Sequence, residues 1–242
     1  MSKIGNRVFT KIERADRKVV EGFREIPSSN INDEMNRLFN MNANIELLNP
    51  DKAVQLLGTA LTVHAPIGDN LFFHEALDMA MPGDVLVIDG GGYANRSFAG
   101  EIMLRFCQSK GISGVVVDGC LRDLDGIKNL TMPVYATGIT PQGPFKNGPG
   151  EINTAISCGG QVVFPGDIIV GDMDGIVVIH KQDAAEVLAA ATKKKEGEDK
   201  TFELMKNDFD AYVEKHKLST EKRVNGKGIE FIDEAYTKKY AL

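Results

Sequence analysis

An arginine and an aspartate, Arg122 and Asp123, stand side by side directly after an apolar segment of the chain. Residues 114–117 (Gly-Val-Val-Val) predict a buried strand, and Asp118-Gly119 is typical of a turn. Ligands bind at the carboxyl ends of strands in open α/β sheets. A guanidinium binds a carboxylate through paired hydrogen bonds, and a carboxylate supplies the oxygen ligands that hard divalent cations prefer. The pair therefore predicts a site for a small carboxylate and a metal ion, and the alternative is an exposed ion pair of little energetic value.

Three glycines at residues 90–92 form a second candidate feature. They follow residues 84–89, whose apolar character without alternation predicts a strand buried on both faces. The apolar spacing after them predicts a helix over residues 93–108, closed by Gly111. Backbone N–H groups at the start of a helix can hold an anion in such an arrangement. Three consecutive glycines lack the spacing of a dinucleotide-binding fingerprint, however, and a simple tight turn is the alternative.

The rest of the chain supplies the elements that would position these residues. Apolar spacing predicts a helix within residues 12–23 and a second, short helix that Asp33 caps. Short apolar segments separated by glycine-containing turns predict antiparallel strands after residue 150, and a long helix follows Asp183. The predicted strands are residues 56–63, 84–89, 114–117, 133–136, 152–157, 161–164, 167–170 and 175–179, and a further helix covers residues 71–80.

These elements predict a single α/β domain with two arms. We expect an N-terminal helical arm at residues 1–30 and a main catalytic domain at residues 31–200. A charged extension is expected at residues 201–242, because charged residues dominate this end of the chain. No low-complexity tract or clear linker separates these parts.

The composition is that of a globular protein without a nucleic-acid or membrane signature. The 242 residues carry a net charge of −6 and the pI is about 5.3, so no basic surface for nucleic acid is expected. No apolar run reaches the ~18 residues of a membrane span, and the first residues lack the apolar core of a signal peptide. Cys107, Cys120 and Cys158 have neither metal-site nor disulfide spacing. These features predict a cytoplasmic protein in a reducing compartment.

Six short segments follow one another in an order that resembles a known protein family. They are residues 83–89 (GDVLVID), 100–103 (GEIM), 114–123 (GVVVDGCLRD), 158–160 (CGG), 165–167 (PGD) and 172–179 (DMDGIVVI). The set is similar to the family of 4-hydroxy-4-methyl-2-oxoglutarate and 4-carboxy-4-hydroxy-2-oxoadipate aldolases and RraA-like proteins, named after the regulator of RNase E activity A. Each segment alone is weakly specific, but the ordered set across residues 30–200 is specific.

The resemblance implies a three-layer β/β/α swivelling-type fold with helical N- and C-terminal arms. It implies assembly as a homotrimer or homohexamer with the active site between subunits. The implied activity is that of a metal-dependent, class II-type aldolase, which cleaves a small carboxylated substrate, a 4-hydroxy-2-oxo acid, to pyruvate. The same chemistry would allow decarboxylation of oxaloacetate.

The resemblance also implies a cofactor, a divalent cation that is usually Mg²⁺ or Mn²⁺, and residues that hold it. Asp123 would bind the metal directly, and Glu101 would reach it through water. A further acid, Glu196 or Glu198, would come from the long helix of a neighbouring subunit. Arg122 would bind the carboxylate and the keto oxygen of the substrate.

The implied substrate site continues at residues 100–103, where backbone N–H groups of Gly100, Glu101, Ile102 and Met103 would hold the pyruvyl carboxylate. Elementary chemistry agrees with these roles, because C–C cleavage beside a 2-oxo acid leaves an enolate whose charge a metal and Arg122 would stabilise. A metal-bound water oriented by Glu101 would accept the proton of the 4-hydroxyl. The mechanism needs no Schiff-base lysine.

Two departures from the family pattern leave substrate and assembly open. Residues 93–99 lack the small-residue and tryptophan signature that is frequent before the Gly-Glu pair, and the chain contains no tryptophan. The terminal arms are also longer than usual. Two alternative functions therefore remain: a non-catalytic RraA-like regulator that binds a protein partner such as RNase E, and a related lyase or hydrolase for another carboxylated substrate.

Four further side chains are weaker candidates for substrate recognition. His64 and His74 flank a turn at residues 66–69 and could contact a distal carboxylate of the substrate. Asn95 and Arg96 precede the Gly-Glu pair and could recognise the variable part of the substrate. A structural role is the alternative for each of them.

Overall fold

The computed structural model describes residues 3–233. Two compact units can be distinguished, of which the first ends at Lys195 and the second begins at Glu196. The helices are α1 (Arg17–Gly22), α2 (Ser28–Glu34), α3 (Leu71–Met79), α4 (Glu101–Ser109), α5 (Leu124–Ile127), α6 (Ala184–Asn207) and α7 (Phe209–Val224). The strands are β1 (Asn6–Val8), β2 (Glu46–Leu47), β3 (Leu56–His64), β4 (Asp84–Ser97), β5 (Gly114–Leu121), β6 (Val134–Ile139), β7 (Gly150–Ile152), β8 (Ile156–Cys158), β9 (Gln161–Val163), β10 (Ile168–Asp172) and β11 (Gly175–Ile179).

Four parallel strands, in the order β3, β4, β5 and β6, form the centre of the main sheet. Two antiparallel strands extend it beyond β3, since β10 pairs with the first half of β3 and β7 pairs with its end. At the opposite edge β2 pairs with β6 in the antiparallel sense. The carboxyl ends of the four parallel strands therefore lie at one edge of the sheet, as expected for a ligand-binding edge.

The sheet is buried on both faces, and strand β4 illustrates why. Leu86 and Ile88 point into a core shared with helices α3 and α4, whereas Val85 and Val87 point into a core shared with β8, β9, β10 and β11. Successive residues of a strand face opposite sides, so a strand between two cores must be apolar throughout. The order of helices, sheet and second β layer confirms the predicted α/β fold.

The predicted helix over residues 93–108 is wrong in its first half. Strand β4 continues through the glycines to Ser97, and it keeps pairing with β5 across two register shifts. Gly91 and Gly92 have φ of 65° and 67°, a conformation that suits glycine and that allows such a bulge. Helix α4 begins only at Glu101, so the glycines do not form the start of a helix.

The N-terminal helices also differ from the prediction. Helix α1 covers only Arg17–Gly22, and Asp33 lies in the last turn of α2 instead of capping it. The cap comes from a distant residue, because the carboxylate of Asp172 accepts hydrogen bonds from the backbone N–H and the hydroxyl of Ser28, both at 2.7 Å. A cap from a residue 144 positions away leaves no local signal in the sequence.

The second unit contains the remainder of α6 and helix α7, which confirms a helical C-terminal arm. Asp208 caps α7 by accepting a hydrogen bond of 3.0 Å from the N–H of Ala211. Residues 234–242 of the predicted extension lie outside the described residues. The domain limits at residues 30 and 200 stay predictions. Within residues 3–233, no helix combines the length and apolar character that crossing a membrane would require.

All three cysteines are expected to be unreactive in the native protein. Cys107, Cys120 and Cys158 are free and buried, and burial raises the pKa of Cys107 to about 12. Because the thiolate is the nucleophile, alkylation by iodoacetamide at pH 8 should be slow in native protein and complete in guanidinium chloride. Intact-mass spectrometry measures both, and rapid alkylation of the native protein would contradict the prediction.

Candidate functional site

Arg122 and Asp123 lie where strand β5 ends and helix α5 begins. The backbone N–H of Arg122 donates to the carbonyl of Ala99 at 3.0 Å, which joins the end of β5 to the segment before α4. Asp123 precedes α5 in the left-handed conformation, with φ of 65° and ψ of 45°. Aspartate tolerates this region better than most residues, and such local conformations are frequent at functional sites. The two predicted residues are thus brought against the start of α4.

The start of α4 interacts directly with Asp123. The N–H of Glu101 donates to Asp123 Oδ2 at 3.1 Å, and Arg122 Nε lies 3.7 Å from the same oxygen. The positive end of the helix dipole also favours a negative charge at this position. Both side chains remain about half exposed, 44% for Arg122 and 45% for Asp123, so they are accessible to a ligand.

Three glycines leave the space that the charged side chains occupy. A Cβ atom on Gly100 would overlap Asp123 Oδ2 and lie 3.0 Å from Arg122 Nε. A Cβ atom on Gly126 would overlap the carboxylate of Glu101, and one on Gly143 would lie 2.9 Å from Arg122 Nη1. Close backbone approach of this kind requires glycine. The site is therefore built by packing glycine backbone against Arg122, Asp123 and Glu101.

The Gly100→Ala variant is expected to lose activity without losing its fold. Gly100 has φ of −136°, which alanine adopts easily, so the added methyl group acts only by displacing Asp123 and Arg122. A displacement of about 1 Å in a site can cost up to about 10²-fold in rate. Turnover and the thermal midpoint should be measured together, and unchanged turnover would contradict the packing described above.

Glu101 is held in place by a neighbour on its own helix. Arg105 Nε donates to Glu101 Oε1 at 2.7 Å, and the carboxylate lies over Gly126 at α5. Oε2 of Glu101 is the oxygen left for another partner. The carboxylates of Glu101 and Asp123 thus both belong to the junction of α4 and α5, as their implied roles require.

A cavity of about 180 Å³ lies beside Arg122 and Asp123, and Glu101 is not among the residues that line it. Arg122, Asp123, Gly100 and Met103 line it, together with residues that sequence analysis did not assign to a site: Asn70, Ala99, Pro144 and Lys146. His74 also lines it, and burial together with the positive charge of Lys146 lowers the pKa of this histidine, so its ring is neutral at pH 7. An arginine and a lysine, Arg122 and Lys146, line the cavity, and it therefore suits an anionic ligand.

A larger cavity of about 500 Å³ lies elsewhere, around Tyr135 and the turn between β10 and β11. Its lining includes Asp172 and Asp174 but no arginine, lysine or histidine. A carboxylate ligand would find no countercharge there. The smaller cavity at Arg122 is accordingly the better candidate site.

Within residues 3–233, no three histidine, cysteine, aspartate or glutamate side chains form a cluster suited to a metal ion. A cation at Asp123 would thus take most of its ligands from water or from a bound ligand, which Mg²⁺ does readily. The exposed carboxylate of Asp123 supplies the hard oxygen donor that such an ion prefers. The donor set is compatible with a magnesium-type site and unsuited to a closed structural zinc site.

The remaining predicted residues lie in three different places. Ile102 and Met103 belong to the first turn of α4 and both line the cavity, and Ile102 is 87% exposed. Glu196 and Glu198 lie on α6, in the second unit, and their predicted role toward a neighbouring subunit stays a prediction. His64 does not line the cavity. Its Nδ1 lies 2.9 Å from Asp89 Oδ2 instead.

The sequence missed Lys146 as a residue of the cavity. Lys146 belongs to the glycine- and proline-rich residues 137–150, where local pattern predicts a loop but not its path. The glycines at 126 and 143 were missed as well, although a glycine beside a functional side chain is a detectable signal once the fold is known.

Comparison with known proteins found one matching family and several similar sequences. A family described as RraA-like, Aldolase/RraA, matches residues 28–178. A Halalkalibacterium halodurans protein with the provisional name 4-hydroxy-4-methyl-2-oxoglutarate aldolase is 40% identical over 208 residues, which cover 84% of this chain and 98% of that protein. A Pseudomonas aeruginosa protein with the same provisional name is 36% identical over 110 residues, 46% of this chain and 68% of that protein.

Two solved structures have the same fold. One is a Streptomyces coelicolor protein described as an unusual member of the RNase ES inhibitor RraA family. It is 26% identical with a TM-score of 0.69, over 80% of this chain and all of that one. The other, an uncharacterised protein of Pseudomonas syringae pv. tomato, has a TM-score of 0.72 at 24% identity, over 81% of this chain and 96% of that one.

Proposed function

Because the chain belongs to the RraA-like family of aldolases and RraA proteins, we propose that it is a carbon–carbon lyase that releases pyruvate from a 4-hydroxy-2-oxo acid. The substrate would be of the 4-hydroxy-4-methyl-2-oxoglutarate or 4-carboxy-4-hydroxy-2-oxoadipate type. The observation that carries the proposal is the single cavity in which Arg122 and Lys146 meet Asp123 and the start of α4. Two cations in one small cavity match a substrate with two or more carboxylates.

The start of α4 would bind the pyruvyl carboxylate. Leu104 donates the first hydrogen bond within the helix, to the carbonyl of Gly100 at 3.2 Å. The N–H groups of Ile102 and Met103 precede this bond and are therefore available to an anion, as is usual for the first turn of a helix. The N–H of Glu101 already donates to Asp123, and this hydrogen bond joins the start of α4 to the residues that follow β5.

Arg122 would bind the keto oxygen and stabilise the enolate that forms when the C–C bond breaks. Its guanidinium lies close to Gly100 and Gly143, which limits the positions it can take before the substrate arrives. A preorganised cation stabilises a developing negative charge without further reorganisation. When bound at Asp123, a divalent cation such as Mg²⁺ or Mn²⁺ would add Lewis-acid polarisation of the same oxygen.

Glu101 would take part in moving the proton of the 4-hydroxyl. Arg105 occupies Oε1, so Oε2 is the oxygen that would accept a proton, through an intervening water. The C3–C4 bond would then break, C4 would leave as the carbonyl carbon of a second oxo acid, and the proton would return to the methylene carbon of the enolate to give pyruvate. This cycle is balanced without an oxidant or a second substrate.

The test is pyruvate release, followed with lactate dehydrogenase and NADH. The purified protein should be assayed with the two hydroxy-oxo acids and with oxaloacetate, in Mg²⁺ or Mn²⁺ and then in excess EDTA. We expect pyruvate with metal, loss of the signal with EDTA, and recovery when Mg²⁺ is restored. An enzyme-free control corrects for spontaneous loss of CO₂ from oxaloacetate. If none of the three substrates gives pyruvate, the proposal is contradicted.

The presence of Lys146 at the cavity calls for a second arm in this test. A lysine can form a Schiff base with a 2-oxo acid, which would make the metal unnecessary. Borohydride reduction in the presence of pyruvate traps such an adduct, and peptide mass spectrometry locates it. We expect no adduct on Lys146 and full dependence on the metal.

A regulator that acts by contact is the second candidate function. The similarity to the Streptomyces coelicolor RraA-family protein favours it, as do exposed apolar residues beside a groove of about 350 Å³ between α3 and α4, such as Ile102 and Phe106.

Self-assembly would use such a surface too, and we propose a homotrimer or homohexamer. Light scattering after gel filtration measures the assembly, and a pull-down with RNase E tests the regulator.

A further inference from the structure

The loop of residues 142–147 forms one side of the candidate cavity. Pro144 and Lys146 line the cavity, and Gly143 lies against the guanidinium of Arg122. A loop without regular structure does not hold such positions by itself, because its backbone must be fixed by contacts with the rest of the fold. The contacts that fix this loop therefore also determine where Arg122 and Lys146 stand.

Arg96, at the end of β4, makes three of these contacts. Its Nη1 donates to the carbonyl of Gly143 at 2.5 Å, and its Cζ lies 4.0 Å from the centre of the Phe145 ring. The aliphatic part of its side chain packs on Gly68, where a Cβ atom would lie 2.5 Å from Arg96 Cδ. A guanidinium over an aromatic ring gains a cation–π attraction in addition to the hydrogen bond.

The residues next to Arg96 strengthen the same attachment. The backbone N–H and the hydroxyl of Ser97 both donate to the carbonyl of Gln142 at 2.9 Å. When the Gln142 amide is oriented so that both its nitrogen and its oxygen form hydrogen bonds, the nitrogen donates to the carbonyl of Asn95 and the oxygen accepts from Arg96 Nη2 at 2.7 Å. On the far side of the loop, the N–H of Phe145 donates to the carbonyl of Gly68 at 2.8 Å.

We infer that Arg96 is a positioning residue, which fixes residues 142–147 and through them the geometry of Arg122 and Lys146. Its guanidinium is committed to Gly143, Gln142 and Phe145, so it does not recognise the variable part of a substrate. The kinetic consequence of this inference rests on the proposed lyase function, whereas its structural consequence does not.

The experiment compares Arg96→Met, Arg96→Lys and wild type. Methionine keeps an aliphatic chain over Gly68 but loses the charge and the donors, and lysine keeps the charge but loses the planar fork. Arg24→Met is the matched control, because Arg24 is exposed and pairs with a nearby residue, Glu21, three positions earlier in the chain. Phe145→Leu removes the other half of the stack and provides a second test should Arg96→Met fold poorly.

The first measurement is hydrogen–deuterium exchange of residues 142–147, which needs no substrate. We expect exchange to accelerate about tenfold in Arg96→Met, less in Arg96→Lys and Phe145→Leu, and not in Arg24→Met. Equal exchange in Arg96→Met and wild type would overturn the inference.

The second measurement is pyruvate release at several substrate concentrations. We expect KM to rise and kcat to fall in Arg96→Met, with kcat/KM about 10–100-fold lower and partly restored in Arg96→Lys. Faster exchange with unchanged kinetics would overturn the positioning role. If wild type releases no pyruvate, the proposed function fails, and exchange alone then decides whether Arg96 fixes the loop.

Discussion

The Arg122→Ala variant should lose roughly 10²–10³-fold in kcat for pyruvate formation, the usual loss when one preorganised donor to a developing oxyanion is removed. Arg122 lies against Gly100 and Gly143, and its replacement with alanine removes the guanidinium from this position. Lys146 lies in the same cavity but on the loop of residues 142–147. The measurement is steady-state kinetics with the lactate dehydrogenase assay in saturating Mg²⁺.

Binding of Mn²⁺, measured by electron paramagnetic resonance, separates this loss from a loss of metal. Because the expected ligand is Asp123, Arg122→Ala should bind Mn²⁺ about as well as wild type. Arg122→Lys, which keeps the charge but not the planar fork, should recover only part of the activity. The Arg24→Ala variant controls for the loss of an exposed arginine, and equal activity of Arg122→Ala and wild type would remove Arg122 from the mechanism.

The position of Arg122 and Asp123 at the end of a buried strand was predictable from local sequence. Residues 114–117 are apolar, which predicts a strand shortly before Arg122. The turn predicted at Asp118-Gly119 is wrong, because β5 continues through both residues, paired with β4, and ends only at Leu121, directly before the pair. The burial of β4 on both faces was predictable for the same reason, since its apolar residues do not alternate with polar ones.

The path of β4 after residue 89 was not predictable in this way. Residues 93–97 belong to the predicted helix, yet they continue the strand because β5 and the loop at Gln142 offer hydrogen bonds to them. Tertiary partners of this kind override local preference. The contribution of Lys146 to the cavity has the same origin, because contacts from Arg96, about 50 residues earlier, set the course of its loop.

Replacement of Asp123 with asparagine is expected to abolish metal-dependent turnover and to weaken Mn²⁺ binding strongly. Asparagine has nearly the same shape and tolerates the left-handed backbone at φ of 65°, so the fold of the junction should persist. Its amide oxygen can still accept the N–H of Glu101, which now bonds to Asp123 Oδ2. What is removed is the negative charge, and a hard divalent cation depends on that charge.

The matched control for this substitution is Asp125→Asn, two residues further along, in the first turn of α5 and exposed to solvent. The same change of charge there should leave Mn²⁺ affinity and turnover near those of wild type, because salt screens the effect of an exposed charge that does not bind the cation directly. Equal Mn²⁺ affinity in Asp123→Asn and wild type would refute the ligand assignment. Retained affinity with lost turnover would instead mean that turnover needs the negative charge of Asp123 for a purpose other than holding the cation, because asparagine still accepts the N–H of Glu101.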